Sequence, residues 1–262
     1  TSGIISQNHR SPAFVALSKE TITLLKTKLA IPNDYWVFYA SSATECWEII
    51  AQSLVQQRSF HIYNGAFGEK WATYTRNLDI EVQTKVFGVN DLLSIEQLTI
   101  PSDAELIAIT HNETSNGTAL TNTQISELRQ AHPEKLIGVD ATSSLGGVYL
   151  DFTQGDVWYA SVQKCLGLPS GMAVMICSPR AIERAKVLNA RKHYNSLAFM
   201  IEKMEDWQTT YTPNILNIYL LKRVLQQIPP IRTIDKMIQK RLADYHQFLQ
   251  KETNLTLLVT QP

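Results

Sequence analysis

Lys164 stands where an apolar strand gives way to a glycine-punctuated loop, in the run Trp158-Tyr159-Ala160-Ser161-Val162-Gln163-Lys164-Cys165-Leu166-Gly167-Leu168-Pro169-Ser170-Gly171. An amine set between an apolar strand and small residues is partly desolvated, which disfavours its ammonium form and leaves a nucleophile able to condense with an aldehyde. A strand-end lysine also fits a solvated surface charge. Asp140 adds to the first reading. It closes the apolar run Leu136-Ile137-Gly138-Val139 and precedes the small residues Ala141-Thr142-Ser143-Ser144-Leu145-Gly146-Gly147. Catalytic groups of open α/β sheets collect beyond the carboxyl ends of parallel strands, so the carboxylate and the amine are expected in one crevice. The competing reading of Asp140 is a turn or helix-cap aspartate.

A lysine for an aldehyde carbon and a carboxylate for a ring nitrogen are what a pyridoxal 5′-phosphate (PLP) site needs, because a protonated pyridine accepts the electrons of a carbanion. A seat for the phosphate is expected at Ser41-Ser42-Ala43-Thr44, between the apolar run 36–40 and a helix beginning near Glu45. Unpaired amides and the helix dipole attract a dianion there, and the Ser42 and Thr44 hydroxyls add donors. Ser42-x-x-Glu45 has the form of a capping box, and an ordinary helix cap is the plainer alternative.

The runs Asn64-Gly65-Ala66-Phe67-Gly68-Glu69-Lys70-Trp71, Asn112-Glu113-Thr114-Ser115-Asn116-Gly117, Asp140-Ala141-Thr142-Ser143-Ser144 and Ala160-Ser161-Val162-Gln163-Lys164 occur in the order seen in class V, fold-type I PLP-dependent aminotransferases. The chain resembles that family from about His9 to Asn217, and His9-Arg10-Ser11 points toward its phosphoserine aminotransferase branch. The resemblance implies an α/β fold with a mostly parallel sheet flanked by helices, a smaller carboxyl-terminal domain, and a homodimer with shared sites. It also implies amino transfer from an amino acid to a 2-oxo acid, with L-glutamate and 2-oxoglutarate the family's common pair in serine biosynthesis.

By matching motifs, the resemblance gives Lys164 and Asp140 the catalytic roles. Ser42, Ala43, Thr44 and Gln163 fall to the cofactor phosphate, Phe67 to the face of the ring, and Thr114 to its phenolic oxygen. Thr212 corresponds to a residue reaching the phosphate in the neighbouring subunit, and His9 and Arg10 to the acidic end of the substrate. Some have a plainer reading: Phe67 as core, Thr114 as a turn residue beside Asn116-Gly117, and His9-Arg10 as an exposed arm. Two departures stand out. Thr44 replaces an arginine that handles substrate phosphate in the family, and Tyr211 replaces an asparagine before Thr212. The first keeps an alanine- or serine-glyoxylate (or pyruvate) aminotransferase as the alternative. An inactive PLP-fold binding protein is a third reading, against which the intact Asp140 and Lys164 argue. A cysteine desulfurase fits less well, because that branch places histidine over the ring.

The elements that must position these groups follow from hydrophobic periodicity. Strands are expected at 36–40, 60–63, 82–87, 106–109, 136–139, 157–159 and 172–176, and helices near 45–54, 66–77, 121–131 and 179–189. Alternation of this kind makes a largely parallel sheet covered by helices. A helix from about Asn214 ends at Pro229-Pro230, and a second spans 231–251 before a strand-like 255–259. The expected division is therefore a large PLP-binding domain over 1–228 and the beginning of a small domain over 229–262, with the chain a segment of a longer enzyme. Of the 262 residues 44% are hydrophobic, and 24 Lys and Arg balance 24 Asp and Glu. Neutrality disfavours nucleic acid as the main partner. Cys46, Cys165 and Cys177 lack metal-ligand spacing and read as reduced thiols of a cytoplasmic protein, Cys165 as a small buried residue. His61, His111, His132, His193 and His246 show no paired metal spacing, and neither a secretory leader nor a membrane span is expected.

Overall fold

A computed structural model describes residues 8–91 and 93–251, with Gly3, Asn254, Leu255, Leu258 and Val259. Seven strands form the main sheet: β1 (Trp36–Ala40), β2 (Arg58–Tyr63), β3 (Glu81–Val86), β4 (Leu106–Thr110), β7 (Leu136–Asp140), β8 (Val157–Ser161) and β9 (Ala173–Cys177). Their order is β1-β9-β8-β7-β4-β2-β3. From β8 to β3 every neighbouring pair is parallel, and β9 runs antiparallel to both β8 and β1. Strands β4, β7, β8 and β9 are buried along their whole lengths, as near-continuous apolar runs in a sheet covered on both faces should be. Each of the seven expected strands is present, β1 with its expected bounds and the others with end points moved by one or two residues.

The helices are α1 (Pro12–Leu29), α2 (Ala43–Leu54), α3 (Ala66–Arg76), α4 (Asn122–Ala131), α5 (Pro179–Leu188), α6 (Leu197–Met204), α7 (Ile215–Gln227) and α8 (Ile231–Lys251). The expected helices of the α/β region are α2 to α5. Helices α1 and α6 were not expected. The first starts at Ser11, whose hydroxyl accepts from the Phe14 amide, and packs against α7. Ile228, extended before Pro229, closes α7, because a residue before proline is held out of the helical region. Helix α8 buries only Ile231 and exposes Met237, Tyr245 and Phe248. The strand expected at 255–259 falls partly outside the described residues.

Parallel pairing brings the carboxyl ends of β2, β4, β7 and β8 to one edge. The segments that follow carry Phe67, Thr114, Ser143 and Lys164. A short hairpin of two-residue strands, β5 (Asn112–Glu113) with β6 (Thr118–Ala119), holds the Thr114 turn, and Gly117 takes the positive φ of 81° there.

Candidate active site

The loop after β8 folds back on itself. The Gly167 amide donates to the Lys164 carbonyl at 2.9 Å, Leu168 to Val162 at 3.2 Å, and Val162 to Met172 at 3.1 Å. Gly147, after β7, touches this loop so closely that a Cβ there would lie 2.9 Å from Cys165 Sγ. So fixed, Lys164 Nζ donates to Ser143 Oγ at 2.9 Å and Thr114 Oγ1 at 3.3 Å, and sits 5.4 Å from the centroid of the Phe67 ring. The Ser143 and Thr114 hydroxyls also bond each other. Three segments remote in sequence thus converge on the Lys164 amine.

Asp140, 5% exposed, ends the strand beside β8 and accepts the Thr142 amide on Oδ1 at 2.9 Å. Its register neighbour Tyr159 hydrogen-bonds the carboxyl as well. The Trp47 indole, which can only donate, reaches the Tyr159 oxygen at 2.7 Å, so the phenol's own hydrogen is available to Asp140. Burial raises the Asp140 pKa above the ordinary carboxylate value, opposed by the Thr142 and Tyr159 hydrogen bonds and the charge of Lys164. A cationic donor facing the carboxyl would relieve that cost. The Thr142 hydroxyl is buried beside the same carboxyl.

The turn at 41–44 is a helix cap of altered form. Ser42 Oγ accepts the Glu45 amide at 3.0 Å, as expected, but Glu45 does not return to the Ser42 backbone. Its Oε2 accepts the Ser41 amide at 2.6 Å and hydroxyl at 2.7 Å, and its Oε1 accepts the Tyr194 hydroxyl at 2.6 Å. The reciprocal capping box is therefore corrected to a one-sided cap, because Tyr194 draws the carboxylate away. The Ala43 amide donates to Ser161 Oγ at 3.3 Å, docking α2 on the strand that leads to Lys164, while Thr44 faces solvent.

His9, Arg10 and Thr212 make a second group. Thr212 Oγ1 lies 3.4 Å from His9 Nδ1, and the Arg10 guanidinium donates to Gln208 Oε1 at 2.8 Å and the Thr210 carbonyl at 3.1 Å. Burial, then the charge of Arg10, lowers the His9 pKa. Among the described residues no hydrogen bond or ion pair joins this group to the Lys164 group. A cavity of about 280 Å³ opens beside Ser41, Glu45 and Thr212, and neither Lys164 nor Phe67 lines it. Gln163 is exposed next to Lys164.

Two further outcomes differ from expectation. Cys165 is exposed, not buried; its Sγ rests 3.4 Å from the Ser143 carbonyl, and local desolvation raises the thiol pKa. Ser143 was not assigned, although it lies in a run read as functional. Among the described residues no cluster of His, Cys, Asp and Glu could hold a metal, and no helix is long and apolar enough to cross a membrane.

An amine and a buried carboxylate at neighbouring strand ends, an aromatic face and a ring of hydroxyls fit PLP by donor chemistry. The sheet and these groups define a fold-type I PLP-dependent enzyme. The chain belongs to the class-V aminotransferase family, whose model matches residues 2–261, and it is a PLP-dependent transaminase acting on amino acids and 2-oxo acids. A solved phosphoserine aminotransferase from Cytophaga hutchinsonii superposes with a TM-score of 0.90 at 36% identity, over 95% of this chain and 71% of that one. The phosphoserine aminotransferase of Rhodococcus opacus is 26% identical over all of this chain and 71% of its own length. An alanine–glyoxylate aminotransferase from Nostoc shares the fold, with a TM-score of 0.81 at 23% identity over 94% of this chain and 68% of that one.

Proposed function

We propose that the chain is the cofactor-binding part of a phosphoserine:2-oxoglutarate aminotransferase of serine biosynthesis, a cytoplasmic homodimer. The observation that carries the catalytic reading is Lys164 Nζ, held between the Ser143 and Thr114 hydroxyls and the Phe67 face, beside buried Asp140. Bound PLP supplies an electron sink for the pair left when the substrate Cα–H bond breaks. Lys164 would hold the cofactor at its aldehyde carbon and, as a free amine, would take the proton from the substrate Cα. Asp140, oriented by Thr142 and Tyr159, would hold the proton on the ring nitrogen. Phe67 would cover one ring face, and the Thr114 hydroxyl would donate to the phenolic oxygen. Ser42, Ala43, Thr44 and Gln163 bind the phosphate. A 2-oxo acid would be the acceptor of the amino group. Residues 1–228 act as the large domain and 229–262 begin the small one.

His9 and Arg10 are assigned to the acidic end of the substrate, and Arg10's anchorage on the 208–210 segment supports a fixed guanidinium there. Thr44, lacking the family's arginine charge, favours a smaller donor and keeps the alanine- or serine-glyoxylate reading as the alternative. Parallel assays with O-phosphoserine, serine and alanine decide between them. O-phosphoserine with 2-oxoglutarate is expected to give the highest kcat/KM; clear preference for alanine with glyoxylate overturns the substrate assignment and leaves the chemistry intact.

Thr212 sits apart from Lys164 within one chain, which supports its crossing to a second copy. A two-fold axis makes such an exchange reciprocal. Mixing Lys164→Ala with Thr212→Arg should restore turnover, because one site of the heterodimer then carries both defects and the other neither. Inactivity in a mixture shown to contain heterodimer counts against shared sites.

A further inference from the structure

Glu113 is 2% exposed and carries no role in the chemistry above. Its Oε2 accepts the amides of Phe67 and Gly68, each at 3.2 Å, at the first turn of α3. Its Oε1 accepts the Ser115 amide at 3.0 Å and hydroxyl at 2.7 Å, and Ser115 Oγ in turn takes the Ala66 amide at 3.0 Å. The cap position of α3 is Gly65, which offers no side chain. A Cβ there would lie 2.3 Å from Glu113 Cγ, so a capping side chain at 65 and the carboxylate at 113 exclude each other. The helix is capped from another segment, and a carboxylate at that end also suits the helix dipole.

We propose that Glu113 is a positioning residue for amino transfer, fixing the Phe67 ring and the Thr114 hydroxyl relative to one another. One carboxylate grips the backbone on both sides of the site: the α3 turn bearing Phe67, and the hairpin turn in which Thr114 directly follows Glu113. Phe67 and Thr114 both meet Lys164 Nζ, so a tilt of α3 against the hairpin would misalign the ring face and the hydroxyl together. Glutamine cannot substitute. Three of the donors are backbone amides that cannot rotate, and its NH₂ must face one of the two donor pairs.

The inference rests on Phe67 covering the cofactor, so its test includes Phe67→Ala. The loss of bound PLP from the holoprotein on dialysis is followed by visible absorbance, with the visible circular dichroism of the cofactor reporting ring tilt. Glu113→Gln is expected to speed loss about tenfold and change the dichroism in the native background, and to speed it less than about twofold in Phe67→Ala, as coupled neighbours do. Phe67→Ala without effect on release sinks the Phe67 role itself. Equal acceleration by Glu113→Gln in both backgrounds, or none in either, overturns the role of Glu113. If Glu113→Gln does not fold, Ser115→Ala runs the same cycle: acceleration confined to the native background supports the proposal, and equal acceleration in both contradicts it.

Discussion

Lys164→Ala should abolish turnover while leaving the fold and some PLP binding in place. The amine does two jobs at one atom, tethering the cofactor and carrying the Cα proton. A positioned general acid–base group alone contributes about 10²- to 10⁴-fold, so turnover should fall by at least that range. The contacts of Nζ are neutral hydroxyls and an aromatic face, so its removal breaks no ion pair, and the buried Asp140 carboxyl, which loses a nearby cation, keeps its Thr142 and Tyr159 hydrogen bonds; the cost in stability should be small. Steady-state turnover beside thermal melting separates the two effects. A variant that melts normally and retains more than about a tenth of wild-type turnover would contradict the assignment, being outside that range.

Asp140→Asn should have the second-largest effect, and mainly on rate. An opposite charge at contact range raises the pKa of a cation by roughly one to three units, so its removal makes the ring nitrogen a weaker base. Expressed fully in the barrier to breaking Cα–H, that is about tenfold to a thousandfold in the half-reaction rate. Asparagine keeps an oxygen for the Thr142 amide and removes the charge whose burial raises the Asp140 pKa, so the fold should tolerate the change. Rapid-mixing half-reactions with a saturating amino donor measure it. Wild-type rates in Asp140→Asn would sink the electron-sink role, whereas a loss confined to PLP affinity would recast Asp140 as a binding residue.

The sheet was legible because its central strands are short, continuous apolar runs, and the residues at their ends stand out by contrast: Asp140 after Leu136-Ile137-Gly138-Val139, and Lys164 shortly after Val157-Trp158-Tyr159. The helix over 231–251 was legible from the prolines before it. Helix α1 was not, because Ser18 and Thr21 interrupt its buried stripe; burial of Thr21 is tolerated since its hydroxyl bonds the Leu17 carbonyl at 2.7 Å. Glu45 illustrates the other limit. Spacing put it in a capping box, and a tyrosine 149 positions away turned it elsewhere. Arg10 is held by residues 198 and 200 positions distant, and Ser143 acquires its part only where β7 and β8 lie side by side. Local pattern carries elements and strand-end chemistry, and the cross-chain hydrogen bonds that aim side chains have no local signature.

The central claim is that the cofactor is carried by Lys164. Borohydride reduction of the holoprotein, followed by proteolysis and mass spectrometry, tests it most directly. The account predicts one pyridoxyl adduct, on the peptide containing Val162-Gln163-Lys164-Cys165. An adduct on another lysine, such as Lys70, whose Nζ lies 5.6 Å from the same Phe67 ring, or an unreducible cofactor, would contradict it.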